Sequence, residues 1–249
     1  MIKNQVIKAY NKLAHDYEHN VDHYSPYNTD YERPAMMCSL PKSVEDLNIL
    51  DAGCAAGWYT ETFLLQGANV TSIDISPEMV AATKRRVGNK AKVMCLDLSN
   101  DLPFQDQVYD IVVSSLVLHY IEDWTKVFKE FSRILKPNGI FLFSIHHPFM
   151  DVSMSPSKNY FSREIIKDKW KRGDERVDVW FYRRPLHEII NVTSHYFVIS
   201  RLIEPLPTEA FKGKKPESYE KLMKNPNFLI IKAKKSNTTA KYSVNGMIN

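Results

Sequence analysis

Little in this sequence points outside an ordinary reduced globular protein. Its three cysteines, Cys38, Cys54 and Cys95, are too few and too irregularly spaced for a disulfide framework or a thiolate metal site, so no metal is expected. The opening MIKNQVIKAYNK lacks the apolar core of a signal peptide, and no run approaches the length of a membrane span. A cytoplasmic location without membrane contact is the expectation. Lys+Arg total 33 against Asp+Glu 29, a net charge of only +4, and part of that excess is Lys232, Lys234, Lys235 and Lys241 among polar residues. The other basic residues are mixed with acids, so the composition carries no electrostatic footprint for nucleic acid. There is no internal repeat and no low-complexity block.

What is present is a chain of 249 residues, 44% hydrophobic and 25% charged, enough for one domain with embellishments. Apolar residues recur at helical spacing from Gln5 to about Glu18. An aromatic-rich stretch follows, with one short helix expected around Ala35 to Leu40. Residues 1–45 read as a helical cap. From Asn48 onward apolar strands alternate with helices: strands at Asn48 to Ala52, Asn69 to Ile73, Lys92 to Cys95, Ile111 to Ser114 and Ile140 to Ile145, with helices near Tyr59 to Gln66, Pro77 to Val87 and Trp124 to Leu135. That alternation predicts an α/β fold, a doubly wound, mostly parallel sheet covered on both faces. Residues 148–184 break the pattern. Two aromatic arms flank Arg172-Gly173-Asp174-Glu175 and read as a β-hairpin inserted after the fifth strand. A helix near Pro185 to His195, a strand at Phe197 to Ile203, a long loop from Glu204 to Asn227 and a last strand at Phe228 to Ala233 complete a domain of residues 1–235. Residues 236–249 are expected to form a solvated tail.

The stretch ILDAGCAAGWYT, residues 49–60, sits where the first strand turns into the first sheet helix, the place where an open α/β sheet meets its ligand. A dinucleotide loop would be G-x-G-x-x-G, but Ala55 and Trp58 stand at its second and third glycines. A phosphate-binding P-loop fails as well, since no Gly-Lys-Ser/Thr follows. The spacing acid-x-Gly-x-Gly-x-Gly does fit, with Asp51, Gly53 and Gly57 in place and Ala55 in the middle. With VTSIDIS, VMCLDLSNDLPFQDQVYDIVVSSLVLHYIEDW and EFSRILKPNGIFLFSIHHPF following in order, the chain from about Tyr10 to Lys234 resembles a class I S-adenosylmethionine-dependent methyltransferase. It is similar to the small-molecule type that includes the quinone-biosynthesis enzymes.

The resemblance implies a seven-stranded Rossmann-like fold, S-adenosylmethionine as the methyl donor and a set of contacts to it. Asp74 would accept from the ribose hydroxyls. Asp97 and the Leu98 backbone would meet the adenine edge, and Ile75, Leu98 or Leu116 its faces. Asp51 would answer the ammonium, directly or through water, and the loop N–H groups of Gly53, Ala55 and Gly57 the carboxylate. Ser115 follows the fourth strand. At Ala55 a positive φ would cost on the order of 1 kcal/mol, whereas with a negative φ the methyl would only crowd the ligand. Each acid also has a plain reading as a turn residue, and three at successive strand ends favour the ligand.

For catalysis the candidates are His119, His146 and His147, as general base or substrate contact, against a purely structural role. Adjacent strand residues face opposite ways, so at most one of His146 and His147 should enter the site. Tyr10, Tyr17 and Tyr24 are candidates for the substrate pocket. The reaction implied is in-line methyl transfer to a small aromatic or apolar metabolite, with cap and hairpin as a lid. Two alternatives stand. One is methylation of a nucleic acid or protein, against which Ser114-Ser115-Leu116-Val117 lacks the Asn/Asp-Pro-Pro-aromatic segment of amino-methylating DNA enzymes and the Pro-Cys of cytosine C5 enzymes. The other is a non-catalytic, cofactor-binding regulatory module. The acceptor atom and the oligomeric state stay open.

Overall fold

The computed structural model describes residues 2–172 and 175–236; the expected hairpin tip at Gly173-Asp174 and residues 237–249 of the expected tail lie outside the described residues. After helix α1 (Ile2–Asp16) the chain makes two π-helical turns, Tyr17–Val21 and Asn28–Glu32, and enters α2 (Arg33–Cys38). The core then runs β1 (Asn48–Ala52), α3 (Trp58–Leu65), β2 (Asn69–Asp74), α4 (Pro77–Val87), β3 (Lys92–Cys95), β4 (Tyr109–Ser115), α5 (Trp124–Ile134) and β5 (Leu135–His146). A short α6 (Pro148–Val152) leads into the hairpin β6 (Glu164–Arg172) and β7 (Glu175–Arg183). The chain returns through α7 (Leu186–Tyr196), β8 (Phe197–Ile203), α8 (Glu209–Lys214), α9 (Pro216–Leu222) and β9 (Phe228–Lys235).

The main sheet has the order β3-β2-β1-β4-β5-β9-β8. β1 to β5 are mutually parallel, and β9 is antiparallel to both β5 and β8. The strand order reverses between β1 and β4, so the crevice at their C-terminal ends is the switch point where such sheets take ligands. The region expected as one loop from Glu204 to Asn227 contains α8 and α9. Thr208 caps α8 by accepting from the Phe211 N–H, and Pro216 starts α9, signals too short to show a hydrophobic period.

Local chemistry sets the helix ends. Ser76 accepts from the Met79 N–H ahead of Pro77 at the start of α4, and Asp123 accepts from the Thr125 N–H at the start of α5. Along α5 the residues Trp124, Val127, Phe128, Phe131 and Ile134 are buried, one continuous stripe at helical spacing. They pack on Phe141 and Phe143 of β5 and Phe197 of β8. On the ligand side, α1 packs against β7: Ala9, Leu13 and Ala14 join Val177 and Val179 of the hairpin, together with Ala56 and Met79 from the sheet domain. Cap and hairpin therefore meet each other above the strand ends.

Candidate functional site

Under that junction lies a cavity of about 960 Å³, walled by the strand-end loops, α1, the cap and the hairpin. Single ligands occupy pockets of roughly 300–1,000 Å³, so this space suits a nucleoside-sized molecule and a second, smaller one.

The glycine loop forms one wall. It is pinned to β2 by N–H groups of Gly53 and Cys54, both donating to the Ile73 carbonyl at 2.8 and 3.0 Å. Every second residue lies in the left-handed region: Gly53 has φ +90°, Ala55 +47° and Gly57 +87°. A Cβ on Gly53 would stand 2.2 Å from Val117 Cγ2, so the glycine is required where the β1 and β4 loops touch. A Cβ on Gly57 would meet Thr83 Cγ2 at 2.9 Å; its bareness serves the contact between α3 and α4, and it does not line the cavity. Of the two readings of Ala55, the positive φ holds. The strain is held in place by Asp74 Oδ2, which accepts from the Ala55 N–H at 3.0 Å, and by Thr83 Oγ1, which donates to the Ala55 carbonyl at 2.7 Å.

The acids divide. Asp74 lines the cavity, also accepts from the Ser76 N–H at 2.8 Å, and is pushed up to about 6 by burial. A carboxylate bound to two backbone donors keeps lone pairs for a ligand diol. Asp97 lines the cavity too, accepting from the Ser99 N–H at 2.8 Å and from Lys3 Nζ at 3.0 Å. Burial pushes its carboxyl upward, but Ser99 and Lys3 together hold it below the ordinary range. Ile75, Leu98 and Ser115 also line the wall. Asp51 does not: it lies 1% exposed beneath the loop, accepts from Thr60 Oγ1 at 2.7 Å, and burial pushes it up to about 7. It braces the first turn of α3.

One set of wall residues gave no signal in the sequence. Arg33 of α2 lines the cavity, donates from Nη1 to the Asp22 carbonyl at 3.0 Å and from Nη2 to the Asp22 carboxylate, and stacks over Trp58 at 4.3 Å. Arg86 Nη1 reaches the other oxygen of Asp22 at 2.5 Å. Two guanidiniums thus share one carboxylate, with Glu61 Oε2 3.9 Å from Arg86 Nε as a second acid. Glu32, fully buried with its carboxyl raised by burial, accepts from Ser115 Oγ at 2.8 Å, Ser144 Oγ at 2.5 Å and Tyr59 OH at 3.0 Å, tying the cap to the ends of β4 and β5. These residues lie in an aromatic stretch without periodicity.

At the β4–β5 end, Tyr10 and Tyr17 line the cavity, and Tyr10 OH donates to Tyr120 OH at 2.8 Å. Tyr24 also borders it but is 74% exposed. The histidines separate as strand alternation requires. His119 and His146 line the cavity with rings 4.2 Å apart and nearly parallel. His147 does not: its Nδ1 accepts from the Phe149 N–H at 3.2 Å and its Nε2 lies 2.9 Å from Glu204 Oε1, so it caps α6 and is removed from the catalytic candidates. Among the described residues no His, Cys, Asp and Glu cluster suits a metal, and no helix is long and apolar enough to cross a membrane.

Residues 50–143 match the family described as methyltransferase domain. Over 142 residues the chain is 27% identical to a malonyl-[acyl-carrier protein] O-methyltransferase of Hamiltonella defensa, covering 57% of this chain and 52% of that protein, about half its length. It is 23% identical over 225 residues to an enzyme of the same name from Legionella pneumophila, covering 87% of this chain and 77% of that protein. A solved S-adenosylmethionine dependent methyltransferase of Mesorhizobium loti superposes with a TM-score of 0.66 at 26% identity, covering 82% of this chain and 97% of that one. A domain match running from β1 into β5, joined to a solved relative that follows the chain well beyond it, supports a class I S-adenosylmethionine-dependent methyltransferase.

Proposed function

We propose that the protein transfers the methyl group of S-adenosylmethionine to a small, largely apolar or aromatic metabolite. The observation that carries this reading is the two-ended cavity: Asp74, Asp97 and the glycine loop at one end, and at the other Met150, Met154 and Phe228, the last beside His146. At the first end Asp74 would hold the ribose, Asp97 the adenine edge and Arg33 the carboxylate; the N–H groups of Gly53, Ala55 and Gly57, expected to meet that carboxylate, instead donate to Ile73, Asp74 and Cys54. The donor, when bound, supplies an already electrophilic methyl group. What is left to the chain is to hold the nucleophile in line, exclude water and accept a proton where one must leave. Cap and hairpin would act as the lid. Hydrogen exchange with S-adenosylhomocysteine should then slow around Tyr10 to Tyr24 or Tyr160 to Tyr182, and no change in either segment would remove the lid.

Binding calorimetry tests the donor. Heat with S-adenosylmethionine and S-adenosylhomocysteine and none with NAD is expected, and tight NAD binding alone would overturn the reading. A second reading follows from the relatives named malonyl-[acyl-carrier protein] O-methyltransferase, in which the acceptor would be a carboxyl group on a carrier-bound chain. Methyl ester formation on such a thioester distinguishes it.

A further inference from the structure

The β4–β5 end of the cavity holds buried polar atoms that have no hydrogen-bond partner among the described residues. His119 is 3% exposed, and among the described residues neither of its ring nitrogens has a hydrogen-bond partner. His146 stacks on it, and His146 Nδ1 lies 3.5 Å from Asp151 Oδ1 without either atom completing a hydrogen bond. Asp151, on α6, is itself 3% exposed. Phe181 closes the group edge-on, with its centroid 5.7 Å from His119 and 4.8 Å from His146. Buried polar atoms in native proteins are nearly always paired, and leaving one unpaired costs about 1–3 kcal/mol. Two histidines with orphaned nitrogens line the cavity, His119 and His146, with Asp151 behind them, and they mark a place where a ligand supplies missing partners.

Resting on the methyl-transfer reading above, we infer that the acceptor is a phenolic hydroxyl, held by His119 and deprotonated by His146 with Asp151 behind it. The acceptor oxygen gains the methyl carbon as the carbon–sulfur bond breaks, and the hydroxyl proton passes to the imidazole of His146. The positive charge of the sulfonium is discharged to a neutral thioether and reappears as imidazolium beside the Asp151 carboxylate, so charge balances. Burial, with His146 and Arg184 nearby, drives the His119 imidazole well below its usual range, which keeps it neutral as a hydrogen-bonding partner. A carboxylate acceptor fits this end poorly. It has no proton to give, and the lysines that line the cavity, Lys3, Lys169 and Lys215, are solvent-exposed. The flat, aromatic surroundings favour a ring.

The test uses the protein loaded with S-adenosylhomocysteine and 4-nitrophenol, whose phenolate absorbs in the visible. With the wild type the phenolate band should appear below the pH at which the free phenol ionises; with His146→Asn it should not. If the wild type binds the probe only as neutral phenol, or not at all, the assignment falls. In parallel, labelled S-adenosylmethionine with a small-molecule extract should give a methyl ether, made at least about 100-fold more slowly by His146→Asn and Asp151→Asn, the lower bound for losing a general base. An ester, thioether, amine or carbon-methylated product, no labelled product, or full rates in both variants would overturn it. Calorimetry with S-adenosylhomocysteine on each variant keeps the two readings apart, because absent cofactor binding in the wild type sinks the methyl-transfer reading itself.

Discussion

At the β1–β3 end of the cavity every buried acid is already tied down: Asp51 to Thr60, Asp74 to the N–H groups of Ala55 and Ser76, Asp97 to Ser99 and Lys3. At the β4–β5 end His119, His146 and Asp151 stand a few ångströms from one another with hydrogen-bonding atoms unused. The first end is shaped before any ligand arrives, as a donor site common to a family would be. The second, on the inference drawn above, is completed by the ligand. The family match, residues 50–143, takes in Asp74, Asp97 and His119 but stops short of His146 and Asp151.

The seam between the two ends offers the largest perturbation. Gly53→Ala places a methyl 2.2 Å from Val117 Cγ2 at a backbone φ of +90°. Left-handed strain and overpacking together should cost roughly 2–5 kcal/mol in urea unfolding and weaken cofactor binding, since Val117 lines the cavity. An undisturbed protein would mean the loops are not clamped together.

Within the pre-shaped end, Asp74→Ala should weaken S-adenosylhomocysteine binding by roughly 1.5–3 kcal/mol, about 10- to 150-fold, the range for hydrogen bonds to a charged group. Calorimetry on a variant of native circular dichroism decides it. Unchanged affinity would reduce Asp74 to a turn residue.

Asp51 tests whether a satisfied acid can still be a burden. Burial pushes its folded-state carboxyl up to about 7, above an unfolded value near 4, so the folded protein prefers it protonated. The sign follows: this group favours folding most below about pH 4, and its contribution declines as pH rises to about 7, where the full penalty stands. Asp51→Asn keeps an acceptor for Thr60 and cannot ionise. In urea unfolding it should exceed the wild type by more than about 1 kcal/mol at pH 8, the gap closing near pH 4. A variant weaker at pH 8 would show that the charge is needed.

The sheet and the glycine loop were legible because parallel strands buried on both faces read as apolar runs at regular intervals, and because the loop's spacing excludes the dinucleotide and P-loop alternatives. Depth was not legible. Asp51 pairs in register with Ser72, whereas Asp74 lies two residues further along β2, roughly 6–7 Å nearer the crevice. Both read as acids at strand ends, yet one braces a helix and the other faces the cavity. Strand parity required that His146 and His147 part company, but which entered depended on Glu204 and the turn into α6, far away or aperiodic in sequence. The cap's Asp22, Glu32 and Arg33 sit in and around π-helical turns, whose residue spacing matches neither common period, so the reach of Glu32 to β4 and β5 and the pairing of Arg33 with Asp22 left no pattern to read.

The smallest expected effect is also the finest probe of how finished the donor end is. Ala55 stands at φ +47°, where an L-residue gives up about 1–2 kcal/mol relative to glycine. Ala55→Gly recovers that strain, but glycine gains freedom in the unfolded chain worth about 0.4–1 kcal/mol, and the lost methyl, packed near Tyr10 and Tyr17, gives back up to about 0.8 kcal/mol. The three contributions largely offset one another, so unfolding stability should fall by no more than about 0.8 kcal/mol and rise by no more than about 1.6 kcal/mol. Binding is less balanced, because Ala55 lines the cavity and its N–H is already committed to Asp74. Removing the methyl opens room without removing a donor, so calorimetry should find S-adenosylhomocysteine bound equally well or more tightly. A clear loss of affinity with stability unchanged would mean that the methyl itself is part of the donor's contact surface, and that strain at this position is kept for the ligand's sake.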